Sequence, residues 1–289
     1  MHGLGNDFII VQDPQQEVSR DLIRQLCHRK TGIGCDQFFI LRGCNIEIYN
    51  SDGSEASSCI NGVRCVAFLL HLQTGDRSIQ LRTKERELTC RVVETMDSEP
   101  YHGHNKSGHL LGREGLVSVE VGGYKLQDFE YRGRSGLLVD VGNKHVIFPI
   151  DDISLADMTL AAELNNIENH TGRPKDPDGA TYPSGHYISH ILGKDATFPD
   201  GVNVSFAHVT SEHEVYLKVY ERGVGETMAC GSAACAAYAG LYDRGFLSKN
   251  NDVSVIFEIG RLSLSMLEEE SIILKGGASM VFEGVVQLV

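Results

Sequence analysis

Short apolar stretches alternate with turn residues along this chain, and two longer stretches are apolar or small at nearly every position. The longer stretches, Asn61–Thr74 and Ser232–Tyr242, predict buried helices, because a surface helix would keep one polar face. The spacing of apolar residues over Arg20–His28 predicts a further helix. The short stretches predict strands, which we place at Phe8–Gln12, Gln37–Leu41, Asn45–Tyr49, Leu137–Val141 continuing through Val146–Ile150, Val215–Tyr220 and, at the end of the chain, Val281–Val289.

Each of the two longest predicted helices follows a similar polar motif that ends in a cysteine. Cys59 lies nine residues after Asn50, and Cys230 lies nine residues after Glu221. A glutamate also precedes each cysteine by four residues, in a stretch rich in glycine, serine and acidic side chains. This repetition predicts two similar halves, each bringing one cysteine to the start of one buried helix.

The predicted fold class is α/β, or more strictly α+β, with two pseudo-symmetric domains. Each domain is expected to be a mixed, largely antiparallel sheet wrapped around a central helix. We place the first domain at residues 1–115, with the C-terminal strand 278–289 returning to it, and the second at residues 116–277. A polar stretch rich in glycine and proline near residues 168–200 is predicted to be an insertion in the second domain.

Composition narrows the class of protein. The chain has 289 residues, 42% of them hydrophobic, and a net charge of -13, which disfavours non-specific nucleic-acid binding because that needs a basic face. Neither a transmembrane segment nor a signal peptide is predicted, so the eight cysteines are expected to be reduced thiols in the cytoplasm. Cys27, Cys44 and Cys90 are predicted to be small buried hydrophobic residues.

Two thiols in repeated motifs suggest acid/base chemistry on the two faces of one carbon atom. The exposed N–H groups at the start of a helix favour an anion, and the same field favours thiolate over thiol. No zinc-site spacing of cysteines occurs, and no convincing phosphate loop and lysine for pyridoxal phosphate are found. We therefore expect proton transfer at an α-carbon without metal or cofactor, with the substrate carboxylate held by backbone N–H groups.

Four motifs resemble the diaminopimelate epimerase family: Met1-His-Gly-Leu-Gly-Asn-Asp-Phe8, Gly32-Ile-Gly-Cys-Asp-Gln37, Asn50-x-Asp-Gly-Ser-Glu55 and Tyr220-Glu-Arg-Gly-Val-Gly-Glu-Thr-x-Ala-Cys-Gly-Ser232. The resemblance implies a cofactor-independent epimerase whose active site lies in the cleft between two similar halves. It further implies interconversion of LL- and meso-diaminopimelate, on the route to lysine and bacterial cell wall, by a homodimer.

The same resemblance assigns roles to residues of this chain. Cys59 and Cys230 would be the two acid/base groups, assisted by His145 and Glu221 respectively. The α-carboxylate would be held by Asn61, Gly231 and Ser232, next to Ile60. The remainder of the substrate would be held by Asn6, Gln37, Asn50, Asn143, Asn203, Glu221 and Arg222. Each asparagine taken singly could equally form a turn or a helix cap.

This chain departs from the family motifs at several positions. Ile60 stands where the family has glycine, adding a branched side chain beside the carboxylate site, and Lys144 stands where the family has proline. The stretch at 168–200 is also longer than the family's usual connection. Three alternatives therefore stay open: a two-cysteine racemase of another amino acid such as histidine, a catalytically impaired relative kept for binding, and a structural or redox protein with a Cys59–Cys230 disulfide.

Overall fold

The computed structural model describes residues 1–97, 113–165, 198, 201–267 and 271–286. The chain divides into two compact units, Met1–Gly123 with Glu258–Val289 and Tyr124–Phe257. Both predicted boundaries are therefore wrong in detail. Residues 116–122 complete a strand of the first unit, and residues 258–277 belong to that unit because their two strands pair with it. The predicted insertion at 168–200 lies outside the described residues, apart from residue 198.

The described strands and helices of the first unit come from two parts of the chain, one before and one after the second unit. In chain order up to residue 123 they are β1 (His2–Gly3), β2 (Asn6–Gln12), α1 (Arg20–Cys27), β3 (Gln37–Arg42), β4 (Asn45–Asn50), α2 (Ile60–Thr74), β5 (Ser78–Arg82), β6 (Glu87–Asp97) and β7 (Arg113–Gly122). The last two are β15 (Gly260–Met266) and β16 (Ile272–Met280).

The strands of this unit close around α2. They pair in the order β1, β2, β3, β4, β5, β6, β7, β16, and β16 also pairs with β1, so the ring is complete. Helix α2 packs against strands from both sides of the ring, which explains why its residues from Ile60 to Phe68 are all buried. The nearly continuous apolar sequence of this helix is thus the sequence of a core element.

In the described part of the chain, the second unit is an open sheet with two α-helices packed on it. Its elements are, in chain order, β8 (Lys125–Tyr131), β9 (Arg134–Asp140), β10 (Lys144–Pro149), a 3-10 helix (Ile153–Leu155), α3 (Met158–Leu164), β11 (Asn203–Ser211), β12 (Glu214–Glu221), β13 (Gly225–Thr227), α4 (Gly231–Asp243) and β14 (Val253–Phe257). The strands pair in the order β14, β12, β11, β10, β9, β8, with β13 attached to β12. Helix α4 packs against β9, β10, β11 and β14, and its small residues allow close approach to the sheet, whereas α3 packs against β11 and β12.

The repetition predicted from the cysteine motifs has a structural counterpart in strand pairing. In the first unit β2 is parallel to β3, β3 antiparallel to β4, and β4 parallel to β5, with α2 between β4 and β5. Strands β10, β11, β12 and β14 repeat these directions, with α4 between β12 and β14. Register repeats too: Gln37 lies opposite Phe8, and Asn203 lies opposite His145. The predicted mixed α+β fold class is confirmed.

Three local predictions were wrong. Val146–Ile150 does not continue the preceding strand, because Gly142, at φ +102°, turns the chain back so that β10 pairs antiparallel with β9. The last strand among the described residues is Ile272–Met280, whose residues alternate in burial, whereas residues 281–286 are exposed and irregular and 287–289 lie outside the described residues. Cys44 is exposed, since it lies beside Gly43 in the two-residue turn between β3 and β4.

None of the described helices is long and apolar enough to cross a membrane.

Candidate active site

Cys230 lies at the N-cap of α4 and is only 6% exposed. Its Sγ donates to Glu221 Oε2 at 3.0 Å and lies 3.4 Å from Ser232 Oγ. Burial, together with the charge and hydrogen bond of Glu221, raises the pKa of the Cys230 thiol well above its usual value. The Ser232 hydroxyl and the Ala233 N–H at the start of α4 lower this pKa, in the direction expected at a helix N-terminus, but burial and Glu221 outweigh them. Cys230 therefore rests as a thiol directed at a carboxylate.

The second carboxylate oxygen of Glu221 accepts a hydrogen bond from a residue that the sequence analysis did not identify. Thr227 donates its hydroxyl proton to Glu221 Oε1 at 2.7 Å, which leaves Oε2 for Cys230. The contact depends on β13, which folds back on β12 and pairs Glu221 with Gly225 and Val219 with Thr227. The glycines of the motif were a signal for this turn, because Gly223 and Gly225 both have positive φ. Glu226, the glutamate that lies four residues before Cys230 in the repeated motif, is exposed.

The remaining predicted residues of the second unit extend the network of Cys230. Ser232 Oγ accepts from Asn143 Nδ2 at 3.3 Å, and Asn143 Oδ1 lies 3.2 Å from His145 Nε2. Asn203 links the start of β10 to the turn after β12, since its Nδ2 donates to Lys144 O at 3.1 Å and its Oδ1 accepts from Arg222 N at 3.0 Å. The Arg222 side chain is exposed, so its guanidinium is accessible to an anion. All the predicted residues of this unit thus belong to one local cluster.

His145 is a buried, neutral imidazole. It is fully buried, and its Nδ1 has no hydrogen-bond partner among the described residues. Burial, and secondarily the charge of Arg222, lowers the pKa of His145 to about 3. The ring can therefore exchange hydrogen bonds near neutral pH without carrying a charge.

The buried state of His145 predicts a pH dependence of stability. The unfolded chain protonates this histidine near pH 6.5 and the folded chain only near pH 3, so the unfolded state binds more protons in between. As pH falls through that window, the free energy of unfolding should lose up to about 1.4 kcal/mol per pH unit from this group. The free energy of unfolding, measured with denaturant from pH 7 to pH 4, should change less per pH unit in His145→Gln than in the wild type. Equal slopes in both proteins would contradict the burial of a neutral ring.

Cys59 occupies the corresponding N-cap of α2. Gly62 N donates to its Sγ at 3.4 Å, and its Sγ lies 3.7 Å from Asn6 Oδ1. The orientation of the Asn6 amide follows from Asp36, whose carboxylate accepts from Asn6 Nδ2 at 3.0 Å. Arg29 in turn binds Asp36 and Asp7 at 2.7 Å each. Asp36 is a second residue that sequence reasoning missed, although it lies inside a motif that carried the family resemblance.

Gln37 and Asn50 form a separate hydrogen-bonded pair in the first unit. They lie opposite each other at the start of β3 and the end of β4, and Gln37 Nε2 donates to Asn50 Oδ1 at 3.1 Å. Asn50 Nδ2 donates to Ser54 Oγ at 3.0 Å, within its own loop. Glu55, the glutamate of the repeated motif, forms an exposed ion pair with Lys84 at 2.9 Å. It is therefore a surface residue.

The first turns of α2 and α4 have the backbone groups needed to bind a carboxylate. Ile60 and Asn61 are the first two residues of α2, and Gly231 and Ser232 are the first two of α4. No preceding carbonyl of the helix can accept from N–H groups at these positions. Ile60 is 3% exposed and has no positive φ, so the position does not require glycine for its backbone conformation.

Among the described residues, no group of three or more histidine, cysteine, aspartate and glutamate side chains is placed to hold a metal ion.

The fold is shared with proteins of known structure, at sequence identities that show the fold alone. A hydroxyproline epimerase from Agrobacterium vitis matches with a TM-score of 0.58 and 12% identity, over 98% of this chain and 89% of that chain. A phenazine biosynthesis protein of the PhzF family from Bacillus anthracis matches with a TM-score of 0.61 and 14% identity, over 99% and 95%.

Sequence comparison is more specific. The family model for diaminopimelate epimerase matches residues 1–102 and 175–281. A diaminopimelate epimerase from Rickettsia peacockii is 33% identical over 299 aligned positions, which cover 98% of this chain and 94% of the relative. The protein is thus an isomerase of the epimerase and racemase class. Within that class, the chain belongs to the diaminopimelate epimerase family.

Proposed function

We propose that this protein converts LL-diaminopimelate to meso-diaminopimelate without a cofactor, by a two-base mechanism that uses Cys59 and Cys230. The observation that carries the proposal is the contact between Cys230 Sγ and Glu221 Oε2 at 3.0 Å, at the start of a helix whose first N–H groups have no helical acceptor. Membership of the family supports the choice of substrate.

The proposed reaction moves two protons and leaves the substrate's composition unchanged. One cysteine, as thiolate, takes the α-proton and becomes a thiol, while the other, as thiol, gives a proton to the opposite face and becomes a thiolate. The electron pair left on the α-carbon is stabilised through the α-carboxylate, which accepts from first-turn N–H groups. Glu221 can take the Cys230 proton when that residue must act as base, because their atoms are already in contact.

The roles of the other residues are proposals of the same kind. His145, neutral because of its burial, is proposed to assist Cys59, and Asn61, Gly231 and Ser232 to hold the α-carboxylate beside Ile60. The side chains of Asn6, Gln37, Asn50, Asn143, Asn203 and Arg222 are proposed to hold the remainder of the substrate. Exposed Arg222 is suited to the distal carboxylate, because its guanidinium presents paired donors to two oxygens.

Deuterium incorporation tests this function directly. With LL-diaminopimelate in deuterated water and a reductant, we expect meso product that carries one deuterium at the inverted α-carbon, detected by mass spectrometry and chiral chromatography. L-Lysine is the matched control substrate, because it keeps the chain length and lacks only the distal carboxylate, so it should exchange far more slowly. Absence of α-deuterium with LL-diaminopimelate would reject the proposed substrate.

The same experiment separates the alternatives. Exchange with histidine or another monoamino acid, and not with diaminopimelate, would favour a related racemase. Binding of LL-diaminopimelate by calorimetry without exchange would indicate a binding relative, the reading motivated by Ile60. From the family alone, we further propose that the enzyme is a cytoplasmic homodimer that acts in lysine and cell-wall precursor biosynthesis.

A further inference from the structure

Arg64 is among the largest fully buried side chains of the described residues, with 0% exposure. It lies in α2 three residues after Asn61, so both side chains fall on the same face of the helix. Its NH1 donates to Asn61 Oδ1 at 3.0 Å, and its Nε donates to Gly277 O on β16 at 3.3 Å. Removing a guanidinium from water is unfavourable, so its place in the core needs compensating contacts.

The backbone around Arg64 is shaped to admit the guanidinium. A Cβ atom added to Gly276 would lie 3.0 Å from Arg64 Cζ and Nε, and one added to Gly3 would lie 3.2 Å from NH2. Neither glycine has a positive φ, so neither is needed for its backbone conformation. The guanidinium fills part of the space that these two glycines leave on β16 and β1; at Gly276 the nearest atom is Leu262 Cδ2, at 2.5 Å.

The contact with Arg64 determines how the Asn61 amide is presented. Asn61 is only 4% exposed and is the second residue of α2, directly after Ile60 in the turn capped by Cys59. Because Oδ1 of Asn61 accepts from Arg64, the amide group that is left to bind a ligand is Nδ2. It makes no hydrogen bond to the described residues. Its protons are therefore available to an anion, next to the first-turn N–H groups.

We propose that Arg64 is a positioning residue for the epimerisation: it holds Asn61 with its amide protons toward the α-carboxylate of the substrate. This inference rests on the proposed function and names a residue that acts through Asn61 without touching substrate.

A double-mutant cycle distinguishes positioning from general structural support. In the wild-type background, Arg64→Met should lower kcat/KM by about 10-fold or more. Both kcat and KM should change, since the amide would contact the carboxylate in the bound substrate and more strongly in the transition state, where the carboxylate takes up the developing charge. In the Asn61→Ala background the same change should lower kcat/KM by less than about 2-fold, because the group that Arg64 orients is absent. Equal losses in both backgrounds would reject the proposal.

Arg64→Lys keeps the charge and removes the planar fork, and the cycle is repeated with it in case Arg64→Met does not fold. Lysine can reach one acceptor at a time, so the loss in kcat/KM should be intermediate and should again depend on Asn61. Full activity in Arg64→Lys would show that orientation of Asn61 is not needed and would overturn the positioning role.

A second measurement does not depend on activity. The side-chain amide of Asn61, assigned by its absence in Asn61→Ala, should show altered 15N and 1H shifts and faster hydrogen exchange in Arg64→Lys. An unchanged amide signal would overturn the inference even if the enzyme epimerises diaminopimelate. Conversely, an altered signal in a protein inactive toward diaminopimelate would reject only the proposed function.

Discussion

Replacing Cys230 with alanine should abolish epimerisation, with kcat reduced by about 100- to 10,000-fold or more. The thiol that Glu221 contacts in the second unit is the proposed acid/base group, and proton transfer by a positioned group contributes that much to rate. Loss of the thiol also leaves Glu221 without one of its two donors, Thr227 being the other. Turnover is measured by chiral chromatography from LL- and from meso-diaminopimelate.

Cys59→Ala should be equally inactive, because it removes the group that is proposed to serve the other face of the α-carbon. A variant with one thiol can still remove a proton and return solvent deuterium to the same face. We therefore expect slow α-deuterium incorporation with retained configuration, from one diastereomer in Cys59→Ala and from the other in Cys230→Ala. If both variants exchanged the same diastereomer, the assignment of one thiol to each face would be wrong.

Two other cysteines provide the matched controls. Cys44 is exposed in a turn, and Cys44→Ala should leave turnover and stability unchanged. Cys235 is buried in α4 five residues beyond Cys230, and Cys235→Ala tests the effect of losing a buried thiol from the same helix. Cys235→Ala should change the free energy of unfolding and not the turnover. Near-normal turnover in either Cys59→Ala or Cys230→Ala would contradict the two-base mechanism.

Gly62→Ala should be the most damaging small substitution in the first unit. A Cβ atom at this position would lie 2.1 Å from Phe39 Cζ and 2.6 Å from Cε2, and Phe39 is fully buried. The ring has no space to retreat without moving β3 or the first turn of α2, which contains Asn61 and is capped by Cys59. Overpacking of this kind reduces the free energy of unfolding by about 1–3 kcal/mol, and we expect the upper end.

Gly62→Ala should also lower the activity, because the displaced turn is the proposed carboxylate site. Gly277→Ala is the control, since a Cβ atom there would meet nothing within 4 Å. Shortening the opposing ring, in the double variant Gly62→Ala with Phe39→Leu, should recover part of the stability relative to the sum of the two single changes. Denaturant unfolding and kcat/KM measure the two effects. Strict additivity would show that the two side chains do not collide.

Much of the fold followed from local pattern. The helices around Cys59 and Cys230 were predicted to within one or two residues of their observed ends, because continuous runs of small and apolar residues are typical of core helices. Asn50 and Glu221 each end a strand, and Cys59 and Cys230, nine residues later, each cap the following helix. Such features depend on neighbours in sequence.

Pairing between distant segments decided what the local pattern could not. The domain boundaries were misjudged because the assignment of residues 258–277 depends on which strands they pair with, and β16 pairs with β7 and β1. The strand predicted at the end of the chain was misplaced for the same reason, since apolar residues such as Phe282, Val285 and Val286 carry no signal for whether a partner strand exists.

The sequence by itself determined the two thiols, their equivalent positions before two core helices, and the family to which the chain is similar. Only the tertiary structure decided the state and partners of those groups: Cys230 as a buried thiol against Glu221, Thr227 on the other oxygen, and Arg64 behind Asn61. The physical reason is that chain periodicity reflects local burial and hydrogen bonding, whereas a pKa or the orientation of an amide depends on atoms brought together through space.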